Sequence, residues 1–206
     1  MPAESRMEYV KKALLAQYAL LAYNLAEAIA SLFFGSIAGS IALFSFGLDS
    51  LVESASTVTV TWRLRKIGKV SLKKEEEHEH NALRMVGFAF IVLAAYVAFA
   101  SIRKLLAREA PEASIPGVLI ALASIIFMPF LAKRRHDLGH KLGSKSLVAD
   151  SKQTMLCAYM SVALLAGAGL NLLFGFWWAD PLAGLVIAAL ALVEGKKALE
   201  GKTCCC

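Results

Sequence analysis

Long apolar stretches, separated by short polar segments, make up most of this chain. A membrane-spanning helix needs about 20 mostly apolar residues. Six stretches approach that length, at residues 14–34, 37–62, 82–105, 114–132, 146–173 and 178–193. The pattern predicts an all-α, polytopic membrane protein with six transmembrane helices. We expect residues 1–206 to form a single domain, with no soluble domain after the sixth helix.

Turn and cap residues refine these boundaries. Gly35 and Ser36 predict a tight turn between the first two helices. Pro129 predicts a bend or an end in the fourth helix, because proline removes a backbone donor and clashes with the preceding turn. Asp180 followed by Pro181 predicts the start of the sixth helix, with aspartate as N-cap and proline at the first helical position.

Composition favours a membrane protein over a soluble one. The chain is 58% hydrophobic with a mean hydropathy of +0.60, which is too apolar for a soluble domain of this size. The net charge of +6 would also fit a nucleic-acid-binding protein. However, the basic residues gather at the ends of the apolar stretches, where membrane topology alone explains them. We therefore expect a lipid bilayer, and no nucleic acid, as a partner.

The basic residues also predict an orientation. Lysine and arginine are denser in the amino-terminal segment, the second and fourth connections and the carboxy-terminal tail than in the remaining connections. Cytosolic segments of membrane proteins carry such an excess. The sequence therefore predicts that both termini are cytosolic, and we expect the plasma membrane as the location.

Two acidic residues lie near the middle of the second apolar stretch. Asp49 and Glu53 are four residues apart, so they share one face of a helix. A carboxylate at the centre of a membrane costs on the order of 2.5–3.5 kcal/mol on insertion scales. Two neighbouring carboxylates also repel each other, so the pair needs either shared protons or a bound cation.

Further polar residues fall at similar depths on two other predicted helices. Asp150, Gln153 and Cys157 form one stripe on the fifth helix, and Asn24 and Glu27 lie on the first. Together with the acidic pair they predict one intramembrane site. Taken singly, Asn24 also fits an interhelical hydrogen bond and Cys157 a small buried hydrophobe.

The remaining members of the set also have structural alternatives. Gln153 alone fits simple packing, and Glu27 fits a protonated structural acid. Asp150 lies close enough to the helix end to be an interface residue or a salt-bridge partner of Lys152 or Lys145.

The donor types in this set predict a divalent cation as cargo. Carboxylates and an amide oxygen suit calcium, magnesium or manganese, whereas a thiolate favours softer, tetrahedral ions such as zinc or cadmium. Because the ligands must be deprotonated, metal entry releases protons. This coupling is a physical basis for exchange of metal against protons.

Three stretches resemble the cation diffusion facilitator family of zinc and manganese transporters. GSIAGSIALFSFGLDSLVES resembles the family's second helix, with its Asp-x-x-x-Asp motif at Asp49 and Glu53. SKSLVADSKQTMLCAYMS resembles the fifth helix, where the usual His-x-x-x-Asp falls on Gln153 and Cys157. WWADPLAGLVIA resembles the opening of the sixth.

The resemblance implies a secondary transporter that exports a divalent metal, most simply Zn2+, with Cd2+ or Mn2+ as alternatives, in exchange for protons. It implies an ion bound among Asp49, Glu53, Gln153 and Cys157, alternating access, no enzymatic activity and no prosthetic group. The chain resembles transmembrane-only relatives that lack the family's carboxy-terminal cytosolic domain. The Gln/Cys pair departs from the family pattern and makes Glu27, Asn24 and Asp150 candidates for additional ligands.

Cytosolic segments add candidates for metal capture. His78 and His80 lie in KKEEEHEH, and His136 and His140 are four residues apart. They fit a shallow collecting site, although a solvated charge run explains the first pair equally well. The terminal cysteines at 204–206 fit capture of a soft metal, an acylation site or a tail without a role.

Other readings remain open from the sequence. Gly35 and Gly39 fit close helix contact in a homodimer. The altered fifth-helix pair fits a non-transporting membrane adapter or metal sensor with a degenerate site, in which Asp49→Ala leaves metal resistance unchanged. A membrane-embedded hydrolase using Asp49 and Glu53 as acid and base is a third class. No nucleophile elbow, zincin motif or phosphate loop in the sequence supports it.

Overall fold

Six helices account for almost all of the described residues. The computed structural model describes residues 3–65, 72–108, 112 and 114–200, with the side chains of 3–5, 72–86, 89, 145, 149 and 198 outside the description. The helices are α1 (Ala3–Ala38), α2 (Ile41–Arg65), α3 (Leu72–Ala107), α4 (Ile115–Leu142), α5 (Lys145–Phe174) and α6 (Ala179–Leu199). The all-α prediction is therefore confirmed for the part of the chain that the structure describes.

The turn between α1 and α2 lies later than predicted. Gly39, with φ of +60°, makes the turn, and the backbone N–H of Ser40 donates to the Gly35 carbonyl at 3.0 Å. Gly35 itself lies inside α1, where an added Cβ would come within 2.7 Å of the Phe44 backbone nitrogen. Gly35 and Gly39, the two glycines that fitted a homodimer contact, therefore have roles within the α1–α2 hairpin. Gly35 allows close helix contact, and Gly39 makes the left-handed turn.

The fourth helix continues through its proline. Pro129 is an interior residue of α4, which ends only at Leu142 before Gly143 adopts φ of +64°. The sequence predicted a bend or an end at Pro129. The helix does not end there, because the regular helical spacing of buried residues continues beyond it, and a bend stays a prediction. α3 likewise begins at Leu72, so the KKEEEHEH segment is helical rather than a loop.

Helices adjacent in sequence run antiparallel. Gly47 of α2 lies against Leu32 of α1, and Gly139 of α4 lies against Val148 of α5. α3 returns to pack along α6, with Gly87 facing the Gly195 carbonyl. α1 therefore begins, and α6 ends, at the same end of the bundle. We call this the terminal end, and the end with the turns at Gly39 and Gly175 the hairpin end.

The outer surface of the bundle is apolar and its interior contains polar residues. Five helices, α1 to α5, contain stretches long and apolar enough to cross a membrane. α6 falls short by that criterion because Asp180 near its start and Glu194 and Lys196 near its end shorten the uncharged stretch. Large side chains such as Phe33 are exposed on the outside, whereas Glu53 is fully buried. This inversion is typical of a polytopic membrane protein.

Two apolar clusters enclose the polar interior. The cluster toward the hairpin end includes Phe46 of α2, Leu164 of α5 and Ile187 of α6. The cluster toward the terminal end includes Leu64 of α2 and Leu147 of α5. The polar residues of α1, α2, α4 and α5 lie between them, with packed apolar side chains toward both ends of the bundle.

Asp180 has a different role from the one predicted. α6 begins at Ala179, two residues before the predicted first helical position at Pro181, which places Asp180 in its first turn. The carboxylate accepts hydrogen bonds from Ser40 Oγ and from the backbone N–H of Ile41, the latter at 3.0 Å. Asp180 therefore caps α2 rather than its own helix, and its charge lies at the positive end of the α2 dipole.

Candidate metal centre

The acidic pair of α2 meets the cysteine of α5 in the interior. Cys157 Sγ lies 3.1 Å from Asp49 Oδ2 and 2.9 Å from Glu53 Oε2. The three side chains are at most 2% exposed. They meet because Asp49 and Glu53 are one turn apart on the inner face of α2, and α5 crosses that face at Cys157. The predicted convergence of the two helices is thus observed for these three residues.

Hydrogen bonding, not metal geometry, sets these distances. One thiol has one proton, so contacts to two carboxylate oxygens require that protons be shared among the three groups. A tetrahedral zinc ion with ordinary Zn–S and Zn–O bonds would hold sulfur and oxygen about 3.6 Å apart. Accordingly, no group of three or more His, Cys, Asp or Glu side chains among the described residues is already arranged to hold a metal ion. Opening the cluster by about 0.5–0.7 Å would give that spacing.

Unused polar atoms surround this cluster. Asp49 Oδ1 is buried and has no hydrogen-bond partner among the described residues, and the same holds for both amide atoms of Asn24. The α1–α2 register that joins Glu27 to Ser50 places Asn24, one turn earlier on α1, near the level of Glu53. Buried polar atoms without partners are costly. Their presence is consistent with a site that binds a ligand.

Glu27 lies beside the cluster rather than in it. Its carboxylate accepts hydrogen bonds from Ser50 Oγ of α2, at 2.7 Å, and from Ser124 Oγ of α4. Tyr23 lies 2.9 Å from the same Ser124 hydroxyl. Glu27 is therefore a buried acid with both oxygens engaged, and no described hydrogen bond joins it to Cys157. Its role as a ligand stays a prediction.

On α5, Thr154 contacts Glu53, whereas the sequence predicted the neighbouring Gln153 as a ligand of the same site. Thr154 Oγ1 donates to Glu53 Oε1 at 2.5 Å. Gln153 is half-buried, and its amide nitrogen has no partner among the described residues. Both positions lie one helical turn or less from Cys157, so a small rotation of α5 decides which side chain faces the acidic pair. A ligand role for Gln153 stays a prediction.

A buried ion pair lies between the cluster and the terminal end. Arg135 of α4 is fully buried and pairs with Asp150 of α5. Asp150 also accepts from Gln17 Nε2 at 3.2 Å and from Ser56 Oγ at 2.9 Å. Among the described side chains, Asp150 pairs with Arg135, which a helical α4 turns inward, and not with Lys152. The alternative partner Lys145 has its side chain outside the description.

The histidines are only partly described. His136 and His140 lie on α4 near the terminal end, with their Nε2 atoms 3.3 Å apart. The predicted one-turn spacing therefore brings these two rings together at an exposed position, where Asp137 approaches His136 at 3.9 Å. The side chains of His78 and His80, and residues 204–206, lie outside the described part of the chain.

The comparisons identify the family. A family model described as the cation efflux transmembrane domain matches residues 18–199. The chain belongs to this cation efflux family. The buried acidic pair therefore lies within the part of the chain that matches the transmembrane domain of this family.

Individual relatives agree with the family match. An uncharacterized transporter of Synechocystis is 28% identical over 89% of this chain and 61% of its own length. Transmembrane protein 163 of Xenopus laevis is 26% identical over 93% of this chain and 67% of its own length. A cadmium, cobalt and zinc/H(+)-K(+) antiporter of Bacillus velezensis is 27% identical over 90% of this chain and 59% of its own length. The chain thus spans roughly three fifths to two thirds of these relatives.

Sequence reasoning missed several residues of this cation efflux interior. Arg135 was assigned to the fourth connection, among the basic residues that predict orientation in the membrane. It nevertheless continues the helical spacing of the buried residues Met128, Ala132 and Leu138 along α4. That periodicity is the signal that could have revealed it. Thr154 and Gln17 carried no such signal, because single hydroxyl and amide side chains are common in membrane helices.

Proposed function

We propose that this cation efflux protein exports a divalent transition metal, foremost Zn2+, in exchange for protons by alternating access. The observation that carries the proposal is the convergence of Asp49, Glu53 and Cys157, buried between two apolar clusters. Two carboxylates and a thiol share protons in this cluster, and a metal ion that binds there would displace those protons from its ligands. Binding of metal and of protons at the same atoms is what an antiporter requires.

The sulfur and the relatives support zinc or cadmium over harder ions. A thiolate beside two carboxylates favours borderline and soft divalent cations. The name of the Bacillus velezensis relative includes cadmium, cobalt and zinc as ions and protons as a counter-ion. We extend zinc and proton exchange to this chain by that similarity.

We infer the direction of transport from two features, the basic residues that orient the protein and the histidine pair that would capture the metal. Arg63 and Arg65 end α2 at the terminal end, and Lys196 and Lys197 end α6 there. Positive charge of this kind favours the cytosolic side, so the exposed pair of His136 and His140 would also face the cytosol. Capture there followed by release at the hairpin end is efflux. We expect the plasma membrane as the location and a homodimer as the assembly.

Cellular zinc content tests the proposal. Cells deprived of their own zinc exporters are expected to hold less zinc when they express the chain than when they express Asp49→Asn. Equal membrane abundance and equal thermal unfolding of both proteins are the controls. If wild type and Asp49→Asn leave cellular zinc equally unchanged, the adapter or sensor reading replaces the transporter.

A further inference from the structure

A chain of donors links Arg135 to the acidic pair. Arg135 Nη1 donates to Thr154 Oγ1 at 2.5 Å, and Thr154 Oγ1 lies 2.5 Å from Glu53 Oε1. All three side chains are fully buried, so water does not compete for these bonds. The arginine thus reaches the candidate metal centre through a single hydroxyl.

The chemistry of the guanidinium fixes the first bond of this chain. A guanidinium has donors and no acceptor, so Thr154 must accept from Arg135. The single hydroxyl proton of Thr154 has two acceptors within reach, Glu53 Oε1 at 2.5 Å and the Asp150 backbone carbonyl at 3.2 Å, and the shorter contact favours Glu53 Oε1 as the acceptor. The second oxygen, Oε2, faces Cys157 Sγ at 2.9 Å. Glu53 therefore offers one oxygen toward the cluster and holds the other in a hydrogen bond.

Asp150 holds Arg135 in this position. The ion pair, together with the donors Gln17 and Ser56, joins α1, α2, α4 and α5 around the Asp150 carboxylate. Both oxygens of Asp150 are engaged by these contacts, which compete with its use as a ligand for a cation. The arginine consequently leaves two carboxylates and one thiol facing the centre.

We propose that Thr154, oriented by Arg135, is a specificity-determining residue that restricts Glu53 to coordination through one oxygen. One-oxygen ligation suits four-coordinate zinc, whereas ions that take six or more oxygens gain a further ligand when a carboxylate binds through both oxygens. Thr154 thus lowers the affinity for Mn2+ relative to that for Zn2+, and Arg135 is a positioning residue because it orients the Thr154 hydroxyl. The proposal rests on the proposed function, because it assigns a role within the same centre.

Equilibrium binding to the full-length protein in detergent tests the threonine. Zn2+ and Mn2+ are titrated separately by calorimetry into wild type, Thr154→Val and Thr154→Ser. Valine removes the hydroxyl at similar size, and serine keeps it. We expect Thr154→Val to bind zinc about tenfold more weakly, with manganese affinity unchanged or raised, so that the Zn2+/Mn2+ affinity ratio falls. Thr154→Ser is expected to keep the wild-type ratio.

A double-mutant cycle tests the arginine. Arg135→Met combined with Asp150→Asn removes both buried charges together, which avoids leaving one charge unpaired. The Zn2+/Mn2+ affinity ratio is expected to fall in this variant. Adding Thr154→Val should lower the ratio no further, because both changes break the same hydrogen-bond chain from Arg135 to Glu53. Additive effects would overturn the role of Arg135. If the paired variant does not fold, Arg135→Lys is used instead, and an unchanged ratio would overturn it.

The outcomes separate this inference from the proposed function. A wild-type protein that binds no zinc overturns the proposed metal centre itself. A wild-type protein that binds zinc, with the same Zn2+/Mn2+ ratio in Thr154→Val, overturns only the specificity role. A loss of both affinities by the same factor in Thr154→Val also contradicts the inference, since a general disturbance of the fold has no preference between the two ions.

Discussion

Replacing Cys157 by serine should change which metals the protein prefers. The sulfur lies 2.9 and 3.1 Å from the two carboxylate oxygens and is the soft donor of the cluster. Serine keeps the size and the hydrogen bonds but is a neutral, hard donor. Loss even of an outer-shell partner costs 10–100-fold in metal affinity, so loss of the thiolate should weaken Cd2+ binding by about a hundredfold, or about 2.8 kcal/mol.

The expected effect decreases with the hardness of the ion. Zinc should lose about tenfold or more, and manganese, which prefers oxygen, less than tenfold. The assay is competition between the protein and a fluorescent chelator for each metal. The cysteines at 204–206 are changed to serine beforehand, so that Cys157 is the one thiol in the full sequence.

Ser161→Ala is the matched control for this change. Ser161 lies one turn further along α5 and donates to the Cys157 backbone carbonyl at 2.7 Å, so its loss should leave metal affinity unchanged. Equal losses for cadmium, zinc and manganese in Cys157→Ser would refute the reasoning, because the sulfur would then act only as packing. Wild-type affinity for cadmium would refute it as well.

Three further changes test packing, capping and capture. Gly35→Ala places a Cβ 2.7 Å from the Phe44 backbone and should lower the free energy of unfolding by about 1–3 kcal/mol, as measured by thermal unfolding in detergent. The control is Gly169→Ala, whose added Cβ would have no atom within 4 Å and should leave the free energy of unfolding unchanged. Asp180→Ala removes the acceptor for the Ser40 hydroxyl and the Ile41 N–H at the start of α2 and should cost about 1–2 kcal/mol, and an unchanged melting temperature would contradict the capping role. His136→Ala with His140→Ala should raise the zinc concentration for half-maximal transport without changing the maximal rate, and an unchanged half-maximal concentration would contradict capture.

The helices could be predicted well, but their ends could not. Hydropathy indicates all six helices, and five of them, α1 to α5, contain a stretch long and apolar enough to span the bilayer. The end of α4 was predicted at residue 132 because the basic residues that follow were assigned to a connection, whereas the helix continues to Leu142 and packs against α5. The α1–α2 turn was misplaced because the sequence does not distinguish a glycine that permits close helix packing, such as Gly35, from a glycine that makes a turn, such as Gly39.

The candidate centre was predictable where charge was the signal. Asp49 and Glu53 stand out because buried acids in a membrane are costly, and Cys157 follows from helical spacing. The choice of Thr154 over Gln153 was not predictable, since it depends on the rotation of α5 about its axis. Arg135 escaped because its inward direction appears only when α4 is known to continue past residue 133.

Zinc flux into sealed vesicles tests the central claim most directly. The full chain is reconstituted in proteoliposomes in the inside-out orientation with an acidic interior, and zinc entry is followed with an internal fluorescent indicator. The account predicts gradient-driven zinc entry for wild type and for Glu8→Gln, an exposed carboxylate, and its loss in Asp49→Ala. Absence of flux for zinc, cadmium and manganese in a folded wild-type protein, or undiminished flux in Asp49→Ala, would contradict it.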